Sequence, residues 1–232
     1  MRYSKVSSAT FIERPNRFIA KVNLDGEEVT VHVKNTSRCT EVLIPGAEVI
    51  LAHSDNPNRK TKHDLVSVYK GDLLINIDSQ APNKVYGEAL ASGRIYSGDL
   101  SIRPEKTYGD SRFDFYLEKE GKRNLTEVKG VTLENDGIVQ FPGAPTERGV
   151  KHLRGLIRSI SEGFDASMVF IVQMSEADHL IPNYEMHEEF GVTLEEAVEA
   201  GVEVTAYKCD VTEDSLELSE RIPVKFRNGF TL

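Results

Sequence analysis

The sequence predicts an α+β protein of two domains: a small five-stranded β-barrel over residues 1–82 and a larger domain of mixed helices and strands over residues 83–232. Three observations predict this. An alternating hairpin over 18–33 and further short strands, linked mostly by tight turns, fill the first eighty or so residues, and near SQAPNKV the pattern changes to mixed strand and helix signals. The 232 residues, 39 % of them hydrophobic, are also enough to build two modest cores.

Residues 18–33 read as a hairpin. Phe18, Ala20, Val22 and Leu24 alternate with polar residues, Asp25-Gly26 is a turn dipeptide, and Val29, Val31 and Val33 resume the alternation. A Pro45-Gly46 turn precedes a run over 48–53, and SDNPNRKTK is a polar loop leading to a strand over 64–69. Lys70-Gly71-Asp72 then turns into a fifth run over 73–78. Five short strands linked in this way are the inventory of a partly open barrel of the oligonucleotide-binding (OB) type, although a small sandwich would use the same parts.

Beyond residue 82 a short helix is expected over 84–92, with strands over 98–103, 112–118 and 123–131. The last two are joined through Glu120-Gly121. Thr146 is placed to cap a helix reaching Glu162, with Leu153, Leu156, Ile157 and Ile160 on one face. Residues 166–173 form a nearly continuous apolar run, as in a strand buried on both faces. A helix over 193–200 and a strand over 202–209 complete the pattern, without internal repeats or low-complexity segments.

No apolar run approaches the ~18–20 residues that span a bilayer, and the N-terminal segment lacks the apolar stretch of a secretory signal. Cys39 and Cys209 lie far apart and match no metal-ligand spacing, which suits a reducing compartment. The expected setting is cytoplasmic, with no membrane partner. The net charge of −9 argues at first against a polyanionic partner, but its distribution is uneven. Residues 159–232 carry 4 basic and 16 acidic side chains, whereas residues 1–158 carry 24 and 21. The first two thirds are therefore open to phosphates.

The residues that carry chemistry lie in the second domain. Asp114 falls in SRFDFYLE, and Glu127 and Lys129 fall in TEVKGV. Strand alternation puts Glu127 and Lys129 on one side with Val128 pointing away, and a hairpin between the two segments brings Asp114 alongside. Two such carboxylates suit a hard divalent cation, Mg²⁺ or Mn²⁺, which would bind a phosphate oxygen and lower the pKa of a bound water. Lys129 would orient that water or stabilise charge on the phosphate. The triplet E-x-K also arises by chance on many soluble surfaces, so order matters. The order helix, strand, Asp-bearing strand, E-x-K strand, helix, strand resembles the core of the PD-(D/E)-x-K nucleases. Glu88, on the first helix, is where some related nucleases carry a supporting acid, and it is a third candidate metal ligand; a solvated helix carboxylate is the plainer reading.

The resemblance narrows further. The segments NRFIAKV, VHVKNTSR, NRKTKHDLVSV, YGDSRFDFYL, TEVKGVTLE and FPGAPTERGVKHLRGL, in this order, resemble the sugar fermentation stimulation protein A family over essentially the whole chain. That resemblance implies an N-terminal OB-type barrel, a C-terminal nuclease-like α/β domain and DNA as the partner. RNA is not excluded by these parts. It leaves two functions open: a metal-dependent phosphodiesterase, or a DNA-binding regulator of sugar-metabolism genes with a silent nuclease site. Two positions depart from the family pattern. Gly143 stands where the family's FPDA motif has aspartate, and Ser37 stands where its NTGR motif has glycine.

Phosphate contacts are expected from Arg14, Arg17, Lys34, Arg38, Arg59, Lys60 and Lys62 in the barrel. In the second domain Arg112, Arg148, Lys151 and His152 are the candidates, the last three on the first turns of the helix after FPGAP. Phe11 and Phe18 are candidates for stacking on bases, although Phe18 fits the core alternation. His32, His53 and His63 are read as structural.

Overall fold

The computed structural model describes residues 1–35 and 37–232. The first six strands are β1 (Val6–Asn16), β2 (Ile19–Leu24), β3 (Glu27–Val33), β4 (Glu48–His53), β5 (His63–Lys70) and β6 (Leu73–Asn76). β1 to β5 close a barrel in the order β1-β2-β3-β5-β4, which returns to β1, and the closing seam is a short parallel pairing of His32 with Asp64 and Val33 with Leu65. Inward positions alternate as the pattern requires: Ala20, Val22, Val31, Val33, Val49, Leu51 and Leu65 are buried together.

The barrel has five strands, but membership differs from the sequence expectation. β1 belongs to it, and the expected fifth strand, β6, lies outside the ring, paired only with β5. β1 is hard to see because its buried positions are only Ala9 and Phe11 between Ser7, Ser8 and Pro15, and its pairing with β2 carries two register shifts. The two phenylalanines exchange roles. Phe11 is buried in the barrel, while Phe18 precedes β2 in a turn where Asn16 Oδ1 accepts its N–H at 2.9 Å, leaving the ring 53 % exposed.

The second unit runs α1 (Ala81–Ala91), β7 (Ser101–Tyr108), β8 (Ser111–Lys119), β9 (Lys122–Val131), β10 (Leu133–Asn135), β11 (Ile138–Phe141), α2 (Glu147–Ser161), β12 (Asp165–Val172), β13 (His179–Pro182), α3 (Glu188–Glu199), β14 (Glu203–Val211) and β15 (Leu216–Ile222). Its main sheet has the order β15-β14-β12-β9-β8-β7, with β9, β12 and β14 parallel at the centre. β12 is buried on both faces. Met168, Phe170 and Val172 join the core shared with α2, α3 and the barrel, and Val169 and Ile171 join the core under α1. Thr146 caps α2 by accepting the Gly149 N–H at 3.0 Å.

Several boundaries move. α3 begins at Glu188 rather than 193, and β7 extends to Tyr108 rather than ending at 103. β10, β11, β13 and β15 are additions; the first three form a separate small sheet. Polar groups join the two units. Asn76 donates its backbone N–H to the Gln173 carbonyl at 2.9 Å, and Gln173 Nε2 donates to Asn76 Oδ1 at 2.8 Å and to the Asp78 carbonyl at 3.1 Å. No described helix is long and apolar enough to cross a membrane.

Candidate metal and nucleic-acid site

β8 and β9 pair in regular antiparallel register as far as Phe115 and Thr126. The next pair would be Asp114 and Glu127, and here a side chain takes over from the backbone. Asp114 Oδ2 accepts the Val128 N–H at 2.8 Å, and Asp114 Oδ1 accepts from Asn83 Nδ2 of α1 at 2.7 Å. The break turns successive aromatic residues to opposite layers, Phe113 towards α2 and Phe115 towards α1. Glu127 and Lys129 lie on one side of β9, their side chains hydrogen-bonded, with Val128 in the opposite core.

Glu127 is buried, and Oε1 takes two donors, Lys129 Nζ and His152 Nδ1 of α2. Arg148 donates from Nε to His152 Nε2 at 3.4 Å, which leaves Nδ1 as the nitrogen that donates to Glu127. Oε2 of Glu127 has no hydrogen-bond partner among the described residues. Burial pushes the Asp114 carboxyl above its ordinary pKa, and the Glu127 charge adds to the effect. Burial also pushes Glu127 up, but the hydrogen bond from His152 and the charge of Lys129 outweigh it, and the net shift is downward. Two adjacent carboxyls are thus driven apart in acidity, the pattern expected where two acids share a cation or a proton.

Gly130 follows Lys129 and opens onto a cleft of about 490 Å³. Its walls include Arg38, Thr40 and Glu41 from the barrel and Phe141, Gly143 and Met186 from the second unit. Gly143 therefore lies in the cleft wall, and a Cβ added there would meet nothing within 4 Å.

The family model described as the sugar fermentation stimulation protein RE domain matches residues 80–215, and that described as the SfsA N-terminal OB domain matches residues 12–77. The chain belongs to the sugar fermentation stimulation protein family. Relatives named sugar fermentation stimulation protein homolog include one from Clostridium beijerinckii, 53 % identical over 97 % of this chain and 99 % of that one. Another, from Desulfitobacterium hafniense, is 50 % identical over 99 % of this chain and 100 % of its own length. The Pyrococcus furiosus SfsA structure, solved in complex with Ca²⁺, superposes with a TM-score of 0.89 over 97 % of this chain and 98 % of that one. It shares the fold at 24 % identity.

Within this family member the sequence-predicted residues fall into four groups. Asp114, Glu127, Lys129 and His152 come together, with Arg148 behind His152. His152 was expected to face phosphate; it is instead buried and directed at Glu127, so its contact with nucleic acid is a correction. Glu88 is also removed from the site, because its carboxylate pairs with the amino terminus at 2.7 Å, beside β15.

Several barrel cations are committed to the protein. Arg14 donates to the carbonyls of Ser37, Arg38, Arg17 and Asn35 at 2.6–2.8 Å and so clamps the loop after β3. Arg59 grips Asp64 through two nitrogens, and Lys34 adds a contact to Asp64 at 3.0 Å. Arg14, Lys34 and Arg59 thus hold the barrel together rather than presenting free charge. Arg17, Arg38, Lys60 and Lys62 are exposed. Arg112 and Lys151 are exposed too, with acidic neighbours Glu105 at 3.6 Å and Asp110 at 3.3 Å.

Asn83 and Gln173 were missed. Asn83 gave only the signal of a helix start after Pro82. Gln173 reads as the end of an apolar strand, although the space where a Gly130 Cβ would stand lies 2.4 Å from its Oε1. A second cluster, Glu147, His187 and Glu189, brings its atoms within 4.8 Å of one another. His187 Nδ1 accepts the Thr146 N–H at 3.2 Å, which leaves the proton on Nε2, facing Glu147 at 3.5 Å, and Glu189 is held by Arg154 at 2.6 Å. This is the bonding of a helix N-terminus, with the histidine acting as a donor rather than a ligand.

Proposed function

We propose that this protein binds nucleic acid through its barrel, β1 to β5, and hydrolyses phosphodiester bonds with a divalent cation in its second unit, which begins at α1. The observation that carries the reading is Glu127 Oε2, a buried carboxylate oxygen with no partner among the described residues, beside Asp114, whose acidity burial and the Glu127 charge depress. An all-oxygen donor set of this kind fits Mg²⁺ or Mn²⁺. Asp114 and Glu127 would hold the ion, which when bound supplies Lewis acidity to a phosphate oxygen and acidity to a water.

The chain's own residues do the rest. Asn83 and the Val128 N–H orient Asp114, and His152 orients Glu127. Lys129 Nζ, hydrogen-bonded to Glu127 Oε1, holds the attacking water or stabilises charge building on the phosphate. Arg148 keeps an exposed guanidinium edge for a neighbouring phosphate. DNA is the proposed partner, with RNA to be tested beside it, and the buried free thiols of Cys39 and Cys209 support a cytoplasmic setting.

One observation favours a second reading, a DNA-binding regulator of sugar-metabolism genes with a silent site. Gly143 leaves the cleft wall without the carboxylate that its family pattern places there. The deciding experiment pairs a thermal-shift titration with Mn²⁺ and a cleavage assay on labelled DNA and RNA. At a hundredfold excess over Kd, binding stabilises the fold by about 2.7 kcal/mol. Asp114→Asn and Glu127→Gln should lose that gain, and Lys129→Ala should keep it while losing cleavage. Metal stabilisation without cleavage of any substrate supports the silent-site reading, and no metal stabilisation at all removes the enzyme reading.

A further inference from the structure

Two features of the barrel have no role in the site described above. One is Phe18, a large ring more than half exposed at the tip of the β1–β2 turn, with the Arg17 guanidinium standing over it at 5.1 Å. An exposed aromatic ring forfeits the stabilisation that burial would bring, and this one sits one residue ahead of a strand whose inward positions it would otherwise continue. The other is a second cleft of about 470 Å³, lined by Asn16, Arg17, Arg38, Thr40, Leu43 and Pro45 among others. Arg38 and Thr40 line both clefts, so a single path runs from the Phe18 turn over the barrel loop to Gly143 and Gly130, next to Lys129.

We infer that this path takes a single strand of nucleic acid, with an unpaired base stacked on Phe18 and the chain leading from there into the cleft lined by Gly130 and Gly143. The inference rests on the proposed nucleic-acid function and narrows it to a substrate class. A ring at a turn tip stacks on a base only when that base is out of a duplex, and such stacking tolerates any base because every base has a π-face. The cleft lined by Gly130 and Gly143 has about the volume of a small-ligand pocket, on the scale of a nucleotide or two of a single strand.

Charge points the same way. The path carries Arg17 and Arg38 as exposed cations, the Arg14 guanidinium being bound to carbonyls. Two acids, Glu13 and Glu41, share its walls, and Glu13 is paired with Lys21 at 2.8 Å. With so few free cations, electrostatics alone would hold a polyanion weakly, so stacking carries much of the affinity. The salt slope for a strand should be shallow, about −2 for three neutralised phosphates at Arg17, Arg38 and Lys129.

The test measures binding without divalent metal, so that cleavage plays no part. Fluorescein-labelled dT20, rU20 and a 20-base-pair DNA duplex are titrated with the full-length chain. The inference expects dT20 and rU20 to bind at least tenfold tighter than the duplex, and Phe18→Ala to weaken strand binding about 5- to 100-fold while leaving the melting temperature unchanged. Because the chain has no tryptophan, Phe18→Trp places a single reporter at the turn, and a strand should quench its fluorescence and bind as the wild type does. Duplex binding equal to strand binding, an unaffected Phe18→Ala, or an unquenched Phe18→Trp overturns the inference. So does the absence of binding to all three probes. A protein that binds strands through Phe18 and never cuts them sinks only the enzymatic reading, whereas one that cuts duplexes with Phe18→Ala unimpaired sinks only this inference.

Discussion

His152 donates its Nδ1–H to the same oxygen of Glu127 that Lys129 contacts, so the other oxygen of that buried carboxylate is left without a partner among the described residues. The imidazole is itself held by Arg148. Groups that orient a metal-binding carboxylate in this way are worth about 10–100-fold in metal affinity. His152→Ala should therefore weaken Mn²⁺ binding by that factor in a thermal-shift titration, and it should cost roughly 1–3 kcal/mol of stability because a buried carboxylate loses one of its two donors. His152→Gln, which keeps an N–H donor, should recover part of both.

The two glycines of the cleft should respond in opposite ways. A Cβ at Gly130 would stand 2.4 Å from Gln173 Oε1 and 2.7 Å from Pro82 Cγ, so Gly130→Ala should destabilise by roughly 1–3 kcal/mol in denaturant unfolding. Gly143 has open space, and Gly143→Asp should leave stability within about 0.5 kcal/mol of the wild type. If a missing carboxylate limits the site, the same substitution should tighten Mn²⁺ binding and raise cleavage. Unchanged values for both would clear Gly143 of that role.

Acid sensitivity should centre on Asp64. Burial pushes this carboxyl up, but the hydrogen bonds from Arg59 and Lys34 and their charges outweigh it and hold it near a pKa of about 2. Its folded pKa lies below the ordinary 3.8, so its contribution to stability is fully present above about pH 4 and is lost as pH falls from there towards 2. The amount is on the order of 2 kcal/mol. Urea unfolding at pH 7 and pH 3 should show the wild type losing stability over that interval. Asp64→Asn should be less stable at pH 7 and lose less on acidification.

The acidic last third should stay clear of nucleic acid. α3 carries Glu188, Glu189, Glu195, Glu196 and Glu199 with no basic residue. Repulsion reaches about 8–10 Å at ordinary ionic strength. Photo-cross-linkers placed along α3 should give no product with bound DNA, whereas linkers at Arg17 and Arg38 should. Efficient cross-linking from α3 would reverse the assignment of the binding face.

The elements that were legible and those that were not differ in where their information lies. β2 and β3 showed themselves because they alternate apolar and polar residues about a turn dipeptide, β4 and β5 because short apolar runs follow a turn or a polar loop, and α2 because Thr146 caps a continuous apolar stripe. β1 did not, since only Ala9 and Phe11 face inward, and β10, β11 and β13 are too short to show a period. The start of α3 was misplaced because Glu188 and Glu189 are polar and its first buried residue is Phe190.

By itself the sequence determined the family, the two-part architecture and the pairing of Glu127 with Lys129 on one side of β9. These depend on local periodicity and on the order of motifs, which a chain carries along its length. The tertiary structure alone decided which strand completes the barrel, that Phe11 is buried and Phe18 exposed, and that Glu88 pairs with the amino terminus. It also decided that Arg14 and Arg59 are consumed by carbonyls and by Asp64, and that His152 faces a carboxylate instead of solvent. Each of these is a contact between residues distant in sequence, and the partner that takes up a charge or covers a ring is known only once the chain has closed on itself.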